Sequence, residues 1–179
     1  QNNIPIIDIQ PFFNGNQDVR KSVADAIDAA CRETGFFVVT GHGVDEDIMA
    51  ATRQMAADFF AQPLDEKLKV ERPPQKVSRG YNRFMDRSLS YSIGKEAPPD
   101  LQEAFAFGPE EFTGEDWQPG DPRTAMMAPN RWPAKPDNFH KTMVDYANEM
   151  RALGERMLDI IALALDLDDD LDIDDVGER

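Results

Sequence analysis

The apolar positions of the chain recur with two periods, and their alternation outlines its elements. Residues 4–9 are rich in β-branched side chains, with Pro5 near the start, and read as an edge or first strand that Pro11 ends. Residues 18–32 place Val19, Val23, Ala26, Ile27 and Ala30 at helical spacing, and Gly35 stands where a helix-ending glycine belongs. Residues 36–39, Phe-Phe-Val-Val, form an unbroken apolar run between Gly35 and Gly41. Such a run is too short for a buried helix and suits a strand covered on both faces. A second helix follows, capped by Asp45 with Glu46 and Asp47 in its first turn. It carries Ile48, Ala51, Met55 and Phe59 on one face as far as Pro63. Pro63 then suits the start of a short helix over 64–70.

Periodicity is lost over 71–100, where Pro73-Pro74, Gly80, Gly94 and Pro98-Pro99 mark a loop with a short strand near 89–93. Residues 103–107, Glu-Ala-Phe-Ala-Phe, alternate cleanly and predict a half-buried strand ended by Gly108. Residues 109–136 mix proline and glycine with Trp117 and Trp132, the composition of an irregular packed loop. Residues 137–165 hold the longest helical pattern. Phe139, Met143, Tyr146, Met150, Leu153, Met157, Ile160 and Ala164 share its apolar face, and Gly154 weakens it mildly. Helix, strand and helix with glycine at both joints make an α/β unit, so the fold class is α/β (α+β): helix-rich, with a few short strands.

A length of 179 residues suits one domain. The 34 acidic against 19 basic residues leave a net charge of −15, which argues against nucleic acid or an anionic membrane as partner. No apolar run approaches the ~20 residues of a membrane span. Cys31 is the single cysteine, so no internal disulfide forms and a reducing, cytoplasmic setting is expected. It falls in a helical apolar pattern and reads as a buried, inert thiol. Asp166, Asp168 and Asp170 fit the first ligand positions of a calcium loop. However, Leu171 and Gly177 occupy positions that need glycine and glutamate, so the aspartate run reads as a solvated connector. No phosphate-binding glycine loop, Ser-His-Asp arrangement or zinc spacing is present.

Five stretches occur in an order that identifies a family: Ile4-Pro5-Ile6-Ile7-Asp8, Gly35-Phe36-Phe37-Val38-Val39, Gly41-His42-Gly43-Val44, Pro63-Leu64-Asp65-Glu66-Lys67 and Arg79-Gly80-Tyr81. From residue 4 to about 170 the chain resembles the amino-terminal domain of the isopenicillin N synthase-like, Fe(II)- and 2-oxoglutarate-dependent dioxygenases. The resemblance implies such a domain at 1–170 and an acidic connector at 171–179, both belonging beside a jelly-roll barrel that this chain does not contain. For the intact enzyme it implies Fe(II) and 2-oxoglutarate as cofactors. The co-substrate is decarboxylated to succinate while a small molecule is hydroxylated, desaturated or cyclised, although some isopenicillin N synthase-type members dispense with 2-oxoglutarate.

The family holds iron with a His-x-Asp or His-x-Glu pair and a distant histidine, and binds the co-substrate with an Arg-x-Ser pair. Here His42 precedes Gly43-Val44 and His140 precedes Lys141-Thr142, so neither makes the histidine–carboxylate pair. Arg87-Ser88 and Ser78-Arg79 are adjacent, the wrong spacing. The resemblance makes His42 a structural turn residue. No catalytic residue, metal ligand or cofactor is therefore expected of this chain alone. In relatives the loop with the Gly-Tyr element covers the barrel mouth, which makes Arg79, Tyr81 and Asn82 the candidate substrate-binding residues, with Arg87 and Tyr91 beyond. Arg79 suits a substrate carboxylate and Tyr81 a packing contact with a hydrogen bond. The alternative is an internal salt bridge for Arg79 and core packing for Tyr81.

The long helix and its connector lead to nothing further in this chain, so the expectation is the amino-terminal portion of an oxygenase whose isolated form exposes apolar surface. The rival is a stand-alone, non-catalytic domain that binds a partner through the face meant for the barrel. A complete small enzyme would need a catalytic cluster that the residues do not supply.

Overall fold

In the computed structural model, residues 4–73, 77–85 and 100–167 are described. In chain order they form β1 (Ile6–Asp8), α1 (Gln10–Asn14), α2 (Gln17–Glu33), β2 (Val38–Thr40), α3 (Glu46–Phe60), α4 (Leu64–Leu68), β3 (Gly80–Asn82), β4 (Ala104–Ala106), a 3-10 helix (Pro122–Met127) and α5 (Phe139–Ala164). This is the helix-rich α+β class with short strands that the pattern predicts. The chain divides into two compact units, Gln1–Met49 with Tyr146–Arg179, and Ala50–Asp145.

In the first unit β1 and β2 pair in parallel, with Ile6 opposite Val38, Ile7 opposite Val39 and Asp8 opposite Thr40. Alternation along the strands sends Ile7 and Val39 to one face. There they join Ile9, Phe12, Val23, Ala24, Ile27, Ala30 and Ile160, with Phe37 and Met157 at the margin. The opposite face is open: Phe36 is 70% exposed and Ile6 72%. The doubly covered strand expected at 36–39 is thus covered on one side only. An apolar run does not reveal how many layers a sheet has, and here the described residues of the unit supply one.

Asn16 caps α2 by accepting the Val19 N–H at 3.1 Å, and the Gly35 N–H closes the helix on the Ala30 carbonyl at 3.1 Å. The buried face is Val23, Ala24, Ile27 and Ala30, while Val19 and Ala26 point outward. Cys31 is exposed rather than buried, one position past the edge of that face. Pro11 does more than end a strand: it sits in the first turn of α1, where its missing N–H is harmless. After β2 the chain turns at Gly41, whose φ is +64°. A Cβ there would stand 2.0 Å from Asp8 Oδ1, an oxygen that already accepts the Gln10 N–H at 3.0 Å.

Asp45 opens α3 as expected, accepting the Asp47 N–H at 2.7 Å. The core of the second unit centres on Phe59, which is fully buried. Its ring lies 6.1 Å from that of Tyr81 and 5.1 Å from those of Phe105 and Phe139, in edge or tilted geometries. Val70, Met143 and Trp132 complete the cluster. β3 and β4 pair antiparallel, with Gly80 opposite Ala106, Tyr81 opposite Phe105 and Asn82 opposite Ala104. β4 lies within the expected strand at 103–107, but β3 falls where a loop is predicted. Its backbone is also held on the other side, by Tyr81 N–H to Val70 C=O at 2.8 Å and Arg72 N–H to Tyr81 C=O at 2.9 Å. Three residues with a glycine among them are too few to show a period. The short helix stops at Leu68 rather than 70. The strand expected near 89–93, Arg87, Tyr91 and the connector at 171–179 lie outside the described residues.

Candidate functional site

β3 and the residue before it carry all three candidate substrate residues, and all three are inside: Arg79 is 3% exposed, Tyr81 1% and Asn82 1%. The Arg79 guanidinium donates to backbone carbonyls, from Nε to Ala128 at 3.0 Å, from Nη1 to Ser78 at 2.9 Å and from Nη2 to Met126 at 2.5 Å. It lies against Gly108, where an added Cβ would come within 2.2 Å of Nη2. Burial pulls the guanidinium below its ordinary range. Arg79 therefore fastens the end of the 3-10 helix to the start of β3. Its bonds go to carbonyls, not to the carboxylate of an internal salt bridge.

Tyr81 packs edge-on to Phe59 and donates its hydroxyl to Glu103 Oε2 at 2.5 Å. The same oxygen accepts Lys67 Nζ at 2.7 Å. Lys67 Nζ also donates to the Phe60 carbonyl at 3.0 Å and lies 5.3 Å from the centre of the Tyr81 ring. Burial, followed by the bond to the Glu103 carboxylate, pushes the Tyr81 hydroxyl up to about 12. For Glu103, burial works to raise the carboxyl, but the bonds from Lys67 and Tyr81 outweigh it and hold it below the usual range. The chemistry of this cluster is to keep Tyr81 neutral and fixed.

Neither Glu103 nor Lys67 is among the candidate site residues that the sequence offers, yet one signal for Glu103 is readable there. In Glu103-Ala104-Phe105-Ala106-Phe107 the glutamate shares strand parity with Phe105 and Phe107, both of which pack on the aromatic core. A carboxylate on a core-facing parity needs a buried partner. Lys67 stands in the Pro63-Leu64-Asp65-Glu66-Lys67 stretch that carries the resemblance, but nothing in its five-residue helix marks it as a partner for Glu103.

A second polar cluster ties the long loop to the start of α5. Glu110 accepts Asn130 Nδ2 at 2.9 Å and Trp132 Nε1 at 3.3 Å, and its Oε2 lies 2.6 Å from His140 Nε2. The His140 ring stacks on Trp132 at 4.4 Å. His42 has a different task, its Nδ1 accepting the Val44 N–H at 3.1 Å. One Arg-x-Ser spacing does exist, Arg20-Lys21-Ser22. It lies within the amino-terminal half of α2, with Arg20 over the Phe12 ring at 4.6 Å.

Among the described residues no three His, Cys, Asp or Glu side chains gather as metal ligands. With His42 holding a turn and His140 against Glu110 and Trp132, this donor set does not fit an iron centre, and no catalytic step can be drawn through these residues.

Residues 4–135 match the family model described as non-haem dioxygenase in morphine synthesis N-terminal. Homoarginine-6-hydroxylase 2-ODD-233 of Oryza sativa subsp. japonica is 35% identical over 170 residues, covering 90% of this chain and 49% of that protein. The 2-oxoglutarate-Fe(II) type oxidoreductase hxnY of Emericella nidulans is 29% identical over 168 residues, covering 92% of this chain and 46% of that protein. Among solved structures, a full-length Neurospora crassa protein in complex with alpha-KG shares the fold at a TM-score of 0.72 and 26% identity, over 92% of this chain and 48% of that one. The chain spans about half the length of the curated relatives it matches. Ordered motifs, the helix-rich fold and the family match agree: the chain belongs to the non-haem dioxygenase N-terminal family.

Proposed function

We propose that the intact protein is an isopenicillin N synthase-like oxygenase that uses Fe(II) and 2-oxoglutarate to oxidise a small molecule. Residues 1–179 are its amino-terminal support, and iron is held elsewhere in the protein. The observation that carries this reading is the match over residues 4–135, joined by relatives whose names state a 2-oxoglutarate-Fe(II) activity. The partner of this chain is then the catalytic barrel of the same protein. The open face of the β1–β2 pair, with Ile4, Ile6, Phe36 and Val38 exposed, supports such a partner. The acidic charge supports neither nucleic acid nor membrane as a further partner, and the single cysteine supports a cytoplasmic setting.

On the substrate side, the burial of Arg79, Tyr81 and Asn82 favours support of the β3–β4 pair over direct contact with substrate. One experiment tests both levels. The full-length protein, given Fe(II), 2-oxoglutarate and oxygen with a panel of small-molecule substrates, should form succinate. An absence of succinate with every substrate contradicts the oxygenase reading. In the same assay Arg79→Ala should lower the melting temperature, because it orphans the carbonyls of Met126 and Ala128. A rise in substrate KM at unchanged melting temperature and unchanged 2-oxoglutarate KM would instead assign Arg79 to a substrate carboxylate.

A further inference from the structure

The ammonium of Lys67 is a junction of elements. It bonds the Phe60 carbonyl at the end of α3, bonds Glu103 beside β4, and lies against the Tyr81 ring of β3, while its own backbone belongs to α4. Its side chain is 9% exposed, in a unit whose core is aromatic. Apolar side chains of similar volume usually serve stability at least as well as a buried ion pair, so stability alone does not explain this one. The pairing of β3 with β4 is only three residues long. A one-residue slip in so short a ladder would turn Tyr81 out of the aromatic core and break its backbone bonds to Val70 and Arg72, so burial already opposes it. Side chains that meet at one geometry oppose it further.

We infer that Lys67 and Glu103 are positioning residues: through Tyr81 they lock the β3–β4 pair in a single register against the end of α3. The polar group is the lock because its geometry is directional. Glu103 Oε2 accepts two donors at once, 2.7 Å from Lys67 Nζ and 2.5 Å from the Tyr81 hydroxyl. A slip of either strand breaks at least one of those bonds, in addition to the apolar contacts of Tyr81 that it would lose. For the reaction, this deepens the proposed function and rests on it: the lock sets where the β3–β4 pair stands on the substrate side.

The test uses the full-length protein and two variants, read by melting temperature, by amide hydrogen exchange over 80–82 and 104–106, and by steady-state kinetics. Glu103→Gln keeps an acceptor oxygen in place, and its exchange should stay within about twofold of the unmodified protein. The double variant Lys67→Met/Glu103→Leu removes both charges together. It should melt within a few degrees of the unmodified protein yet lose about tenfold or more of the protection in these two strands alone. Its substrate KM should rise while the 2-oxoglutarate KM holds. Unchanged protection in the double variant overturns the inference. So does a failure of that variant to fold, or a loss of protection spread evenly over the unit, since either makes the triad a stability device. If the unmodified protein forms no succinate, the oxygenase reading fails while the exchange result still decides the lock.

Discussion

At the scale of single residues, the least replaceable positions are those where backbone and side chain make separate demands. Gly41 combines a φ of +64° with the Asp8 carboxylate where its Cβ would be. Gly41→Ala should therefore cost roughly 1–3 kcal/mol, measured by urea denaturation. A loss within the scatter of surface substitutions would mean that Asp8 moves aside freely. Tyr81 makes a prediction in pH. Its hydroxyl ionises near 10.0 when unfolded and at about 12 when folded. The folded state thus keeps its proton longer. This contribution is complete below pH 10 and disappears as pH rises from 10 through 12, and it is on the order of 2 kcal/mol. Tyr81→Phe should flatten the fall in stability over that window, and an unchanged slope would place the titration elsewhere.

At the scale of elements, acid acts on the two polar clusters in the opposite sense. Glu103 and Glu110 are both held below their ordinary range; burial opposes this, and hydrogen bonds from Lys67 and Tyr81, and from His140 and Asn130, prevail. Stability from these groups is present above the unfolded value of 4.5 and is lost as pH falls through their lower folded values. Thermal melts from pH 6 down to about 3 should show this fall reduced in Glu103→Gln. Which elements were legible follows from their length. α2, α3 and α5 carry enough turns for a period of three and four to be read, and the stretch that holds β4 alternates over five residues. β3 left no period, and its place is decided by contacts far along the chain, through Val70, Arg72 and Ala106. The run at 36–39 signals a strand but says nothing about whether one or two layers cover it. The same gap explains the site: strand parity could flag Glu103, but not that Lys67 meets it, since the two are 36 residues apart.

At the scale of the whole molecule, the polar groups around Arg79, Glu103, Glu110 and His42 hold turns, loops and strands in place. Each histidine is engaged in that work, His42 in its turn and His140 with Glu110 and Trp132. On the proposed reading iron is held by residues outside this chain, which spans about half the length of the relatives it matches. In that proposal the exposed Ile6 and Phe36 face is the surface offered to the remaining part. The most direct measurement is the iron content of the full-length protein in which His42→Asn and His140→Asn are combined, after reconstitution with Fe(II) and desalting. Retention of iron equal to that of the unmodified protein is the expected result, whereas loss of the bound iron from a variant that still folds would contradict the placement of the metal outside residues 1–179.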